Sequence, residues 1–196
     1  MKKAHVTVKG TRPVLFHSFN VEVISSLTKK KSGSSGNNSE EWKDTVLERG
    51  GQLYFPATYW QATLKEGAKY TKAGRGTMQK TFNSASMITT DYSMIDRHLP
   101  NGWVNMTVEE FGTDASRPVY IDVRGVMNPA TKGRNVRYRV ACSPGWKCGF
   151  EIEFDDNYIS TQVIKKIVED AGKMVGIADG RTLGNGRFEV ESCEID

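Results

Sequence analysis

An α+β fold, with two main helices on one face of an antiparallel sheet, follows from three observations in this 196-residue chain. Short segments alternate apolar and polar residues at both ends and in the middle: Ala4 to Lys9, Val119 to Val123, Arg137 to Cys142, Gly149 to Phe154 and Phe188 to Ile195. That alternation marks strands with one buried face. Two other stretches carry helical stripes. Trp60, Leu64 and Ala68 form one; Val163, Ile164, Ile167, Val168, Ala171 and Val175 form the other. The elements run strand, short inserted helix, strand, helix, strands, helix, strand, which is a ferredoxin-like order. Such a sheet leaves one face or edge open to a ligand.

Taken in order, Val6 and Val8 share one face of the first strand, Arg12-Pro13 interrupts it, and Val14-Leu15-Phe16 resumes it. Ser25 to Ser39 is small, polar and basic, and is expected to be a mobile insertion. Ser39 can cap a short helix with acids in its first turn, ending near Arg49-Gly50-Gly51. Gln52 to Phe55 is a brief strand, and Pro56 suits the first turn of the helix after it. Ala73 to Thr77 breaks that helix, and Lys80-Thr81-Phe82 leads into a strand near Ser86 to Thr90. The segment from about 91 to 116 has no clear period; Val104 to Val108 alternates weakly as a strand. Three consecutive antiparallel strands are then expected, with Gly125 to Asn135 joining the first pair and Ser143 to Trp146 the second. Ser160 can cap the last helix. The whole chain, 1–196, is expected to be one domain, with insertions at about 25–39 and 91–116.

The formal charge is only +4, but the distribution is uneven. From Arg117 to Lys147 the basic residues are opposed by Asp122 alone, whereas Glu151 to Asp156 and the last strand are acidic. One basic face is implied. No apolar run is long enough to span a bilayer, and the amino terminus lacks the apolar segment of a signal peptide. A soluble, cytoplasmic protein without a membrane partner is therefore expected. The odd cysteine count (Cys142, Cys148, Cys193) argues against a disulfide framework and for thiols packed as small hydrophobes.

The binding features form a coherent set. Near the carboxy terminus a helix runs into a loop containing Gly180, Arg181, Gly184, Gly186 and Arg187, and the loop feeds the last strand. Glycine lets the backbone approach a partner closely, and arginine beside exposed backbone N–H groups suits phosphate. Arg137 and Arg139 share one strand face, Arg134 precedes them, and Tyr138 and Val140 take the opposite face, toward the core. Lys30, Lys31 and Arg75 lie in further basic segments. Trp103, Tyr120 and Trp146 are candidate stacking platforms.

Two separated motifs carry a resemblance. Gly51-Gln-Leu-Tyr-Phe-Pro56-Ala-Thr-Tyr-Trp-Gln-Ala-Thr-Leu64 resembles the strand-to-helix segment of the RAMP superfamily. Gly180-Arg-Thr-Leu-Gly184-Asn-Gly186-Arg187-Phe-Glu-Val190 is similar to the glycine-rich loop that this superfamily places before its last strand. The resemblance is to backbone subunits of CRISPR effector complexes, including a stand-alone phage or mobile-element relative. It implies an RRM-like core, RNA as partner, and assembly with copies or related subunits along the strand. The RNP aromatic signature of a typical RRM is absent from the sequence.

Candidate chemistry is sparser. His17 and Ser18 are neighbours, which on a strand point to opposite faces and cannot act as a pair. Asp155-Asp156 and Asp91 with Asp96 fit turn and cap roles better than a magnesium site, and Cys142, Cys148 and His98 lack zinc spacing. No catalytic residue, metal or cofactor is assigned. The expected function is binding of single-stranded nucleic acid, RNA in preference to DNA, by backbone and shape readout. The alternatives are a metal-independent endoribonuclease of the same superfamily and a protein-only assembly component of a mobile element.

Overall fold

A computed structural model describes residues 1–18, 38–127 and 132–196. The expected insertion at 25–39, with Lys30 and Lys31, falls almost wholly outside them. The chain begins with β1 (Lys2–Gly10) and β2 (Val14–Leu15), then α1 (Glu41–Thr45), β3 (Glu48–Arg49), β4 (Gln52–Pro56) and α2 (Ala57–Gly67). A small hairpin, β5 (Lys72–Ala73) and β6 (Gly76–Thr77), precedes α3 (Gln79–Ala85), β7 (Ser86–Ile88) and β8 (Tyr92–His98). After α4 (Val108–Phe111) come β9 (Val119–Met127), β10 (Arg134–Cys142) and β11 (Lys147–Phe154). The chain closes with α5 (Thr161–Asp170), which continues as a wider turn over Ala171–Val175, and β12 (Phe188–Ile195).

The main sheet runs β12–β1–β11–β8–β4–β3, with β7 also paired to β11, and its pairings are antiparallel. Alternation in β1 and β11 sends Ala4, Val6, Val8, Cys148, Phe150, Ile152 and Phe154 to one buried face. Helices α2 and α5 cover that face. Trp60 of α2 stacks on Phe150 at 3.9 Å between centroids and meets Phe188 edge-on at 5.5 Å. Leu64 and Ala68 complete the α2 stripe, and Ile164, Ile167, Val168 and Ala171 that of α5, all fully buried. The two helices touch where Gly67 faces Ala171; a Cβ on Gly67 would lie 2.6 Å from the Ala171 Cβ. Ser160 caps α5 by accepting from the Val163 N–H at 3.4 Å.

Several expectations are corrected. The three consecutive strands do not form one sheet. β9 and β10 pair along their lengths and form a second sheet with β2, whereas β11 enters the main sheet beside β1. The turn between β10 and β11 explains the departure. Gly145, at φ +91°, donates to Gly10 O, Gly10 donates to Trp146 O, and the buried Trp146 indole donates to Arg12 O at 3.0 Å. These bonds hold the turn against the end of β1. Ser39 does not cap α1, which starts at Glu41, lacks a side-chain cap and ends by Val46; Arg49 lies in a strand turned back on β4 at Gly50-Gly51. Gln79–Ala85 is helical; Phe82 is the one fully buried residue within it, so it shows no apolar period.

The 91–116 segment holds the seven-residue strand β8. Val104 belongs to a 3₁₀ turn rather than a strand, because Thr107 and Glu110 form a reciprocal capping box that starts α4 just after it. Among the described residues no helix is long and apolar enough to cross a membrane.

Candidate nucleic-acid interface

Two surfaces are available, and their chemistry differs. The open face of the main sheet carries Lys3, His5, Thr7 and Lys9 from β1, with Lys147, Gly149, Glu151 and Glu153 from β11 and Glu189, Ser192 and Glu194 from β12. These three strands put no phenylalanine, tyrosine or tryptophan on that face; its aromatic rings lie further along, where Tyr54 of β4 and Tyr92 of β8 meet edge-on at 5.2 Å under the Arg49 guanidinium. Its cations are largely engaged: Lys3 lies 3.3 Å from Glu151, Lys147 lies 2.7 Å from Glu191, and His5 bridges Glu151 at 3.2 Å and Asp196 at 2.9 Å. The Lys3 ammonium, bonded to the Glu151 carboxylate, holds that acid below its ordinary range. A polyanion gains little here.

The second sheet is built oppositely. The β9–β10 register sets Arg137 against Arg124 and Arg139 against Asp122, so all four share its outer face, while Tyr138, Val140 and Ile121 pack on the core. Beyond the core the hairpin projects, exposing Val123, Val126 and Met127. Arg124 Nε lies 2.7 Å from Asp122 Oδ1. Arg137 pairs with Glu41, which His17 Nε2 also approaches at 3.0 Å. Arg139, only 8% exposed, sits 3.2 Å from Asp179 in an ion pair whose angle falls outside hydrogen-bond geometry.

The glycine loop folds across this region. Asp179 N–H donates to Leu15 O and Gly186 N–H to Pro13 O, so the loop runs along the 13–15 segment. That pairing places Arg187 against Thr11 and Arg12, and Arg181 toward His17. Gly176, Gly180, Gly184 and Gly186 all have positive φ. At Gly186 a Cβ would lie 1.9 Å from Ile177 O, whereas at Gly184 it would meet open space. The N–H groups of Gly184 and Gly186 are bonded to Arg181 O and Pro13 O. What these two positions present to a ligand is close backbone, with the donors directed inward.

Among the described residues Arg75, Arg134, Arg181 and Arg187 form no ion pair with a carboxylate; Arg187 donates to Lys173 O at 2.8 Å. Arg75 sits in the β5–β6 hairpin beyond the carboxy end of α2, outside both larger sheets. Arg181 lines a cavity of about 270 Å³ with His17, Tyr59, Ala62, Thr63, Ala178 and Asp179. No local pattern signals Glu41, Tyr59 or Asp179, which come from distant segments, and His17, weighed in the sequence only beside Ser18, meets Glu41 instead. The three stacking candidates are placed inward: Trp146 and Tyr120 are buried, and Trp103 packs 5.9 Å from Trp42.

The remaining candidate groups are quiet. Cys142 and Cys148 are buried, and burial pushes both thiols far up, so they stay protonated at neutral pH. Asp155 accepts from Asn157 N–H as a turn former. Among the described residues no cluster of three His, Cys, Asp or Glu side chains is arranged to hold a metal ion.

No family model matches the sequence, and no curated protein is similar to it. Among solved structures, the chain is similar to one in the cryo-EM structure of the Type III-B Cmr-beta bound to cognate target RNA. The TM-score is 0.52 at 13% identity, over 99% of this chain and 60% of that one. The chain therefore spans about three fifths of that neighbour's length. The likeness is one of fold alone: a mixed α+β arrangement around a mostly antiparallel sheet.

Proposed function

We propose that this chain binds single-stranded nucleic acid, RNA in preference to DNA, through phosphate contacts on the outer face of the β9–β10 hairpin and the 176–187 loop, alongside copies of itself or related subunits. The separation of charge carries this reading. The β12–β1–β11 part of the main sheet's open face is acidic and without aromatic rings, while Arg181 and Arg187 at the loop keep positive charge unmatched by carboxylates, and Arg134, near the hairpin tip on the Tyr138 face, adds more. Phosphate contacts of this kind supply sequence-independent affinity. The spatial order β12–β1–β11–β7, with α2 and α5 on one face, supports a ferredoxin-like core in a single domain. The RNA-bound neighbour supports the ligand class.

Anisotropy of a labelled single-stranded RNA over a salt series tests it. Affinity should fall steeply as salt rises, with a slope of about −0.7 per phosphate contacted. Undetectable binding at low salt, or affinity indifferent to salt, contradicts the reading.

A second reading has one observation in its favour. His17 meets the nearly buried Glu41 carboxylate beside the Arg181 cavity, and a histidine oriented by a carboxylate is equipped for general acid–base work on RNA. Cleavage of labelled RNA in chelator, abolished by His17→Ala, establishes that reading; intact RNA excludes it.

A further inference from the structure

We infer that the cavity between α2 and the Ala178–Arg181 segment is a binding site for one nucleotide, with its phosphate on Arg181 and its sugar and base along Tyr59 and Ala62. This deepens the nucleic-acid reading and rests on it. The electrostatics around the cavity select an anion. Both nearby carboxylates are engaged by guanidinium groups, Glu41 by Arg137 and Asp179 by Arg139, so neither opposes a ligand's negative charge in full. Arg181 faces the cavity, half-buried and without a carboxylate partner among the described residues. A guanidinium is the side chain best matched to a phosphate.

The size selects the ligand further. About 270 Å³ lies near the lower limit, about 300 Å³, of small-molecule pockets. It accepts a unit of nucleotide bulk and excludes a continuous strand. Tyr59 offers a ring, and Ala62, exposed on α2, adds little bulk to the lining.

The test compares adenosine 5′-monophosphate, inorganic phosphate and a short labelled single-stranded RNA by titration against the full chain. The nucleotide should bind at least about tenfold more tightly than phosphate, because the sugar and base use the rest of the cavity. Arg181→Ala should weaken nucleotide binding about tenfold or more by removing a charge-assisted contact. Ala62→Trp, which fills the mouth from an exposed position, should do the same with the fold intact by circular dichroism. A protein that binds RNA but not the nucleotide, or binds phosphate and nucleotide equally, overturns the nucleotide site and leaves the RNA reading standing. Nucleotide binding unaffected by both variants also overturns it. Loss of binding to all three ligands overturns both.

Discussion

The two sheets present surfaces made by the same alternation but with opposite consequences. In β1, β11 and β12 the polar positions hold glutamate beside lysine and histidine, and the charges close on one another: Lys3 and His5 on Glu151, Lys147 on Glu191. In β9 and β10 the polar positions hold chiefly arginine; Asp122 of β9 answers Arg124, but the carboxylates that answer Arg137 and Arg139 come from elsewhere, Glu41 from α1 and Asp179 from the loop. The first surface is self-neutralising. The second depends on the loop and on α1 for its geometry, and it retains unmatched charge at Arg181, with Arg134 near the hairpin tip on the opposite face. A surface suited to a polyanion is thus defined less by how many cations it carries than by how many are already satisfied.

The largest effect tests whether the glycines of the second region serve folding. Gly186→Ala forces a Cβ into Ile177 O at a positive φ and should cost more than about 3 kcal/mol in denaturant unfolding. Gly184→Ala, at φ +82° but in open space, should cost only about 1–2 kcal/mol. Equal losses would break the distinction. Next, Arg139→Ala leaves Asp179 without its partner and should destabilise by about 1–3 kcal/mol, below the cost of breaking a fully buried pair because Asp179 is partly exposed. A smaller, binding-only effect is expected at Arg134→Ala: the salt slope for single-stranded RNA should shrink by about 0.7, whereas Lys9→Ala on the acidic face should leave it unchanged.

The smallest effect concerns acid stability. Glu151, held low chiefly by its bond to Lys3, contributes stability above the ordinary carboxylate range and loses it as pH falls through its lowered value. Thermal unfolding between pH 7 and pH 3 should show a shallower decline in Lys3→Gln than in the parent.

Much of this was legible in the sequence, and the failures have physical causes. The stripes of α2 and α5 and the alternation of β1, β10 and β11 were readable because each buries one face against a large core. The parity argument placing Arg137 and Arg139 outward and Val140 inward depended only on strand geometry. The split into two sheets was not readable, because it is decided by Trp146 and Gly145 bonding to Gly10 and Arg12, contacts far apart in sequence. The helix at 79–85 was missed because only Phe82 is buried within it. At the site, basic residue types were visible but their satisfaction was not. Nothing local in the sequence links Arg137 to Glu41 or Arg139 to Asp179, and those pairings decide which arginines remain for a ligand.

Photocrosslinking of a 4-thiouridine-containing single-stranded RNA, mapped by peptide mass spectrometry, tests most directly which surface meets nucleic acid. The account predicts adducts within 132–139 and 178–187. Adducts confined to 3–9, 147–153 and 189–194 would place the RNA on the acidic sheet and contradict it.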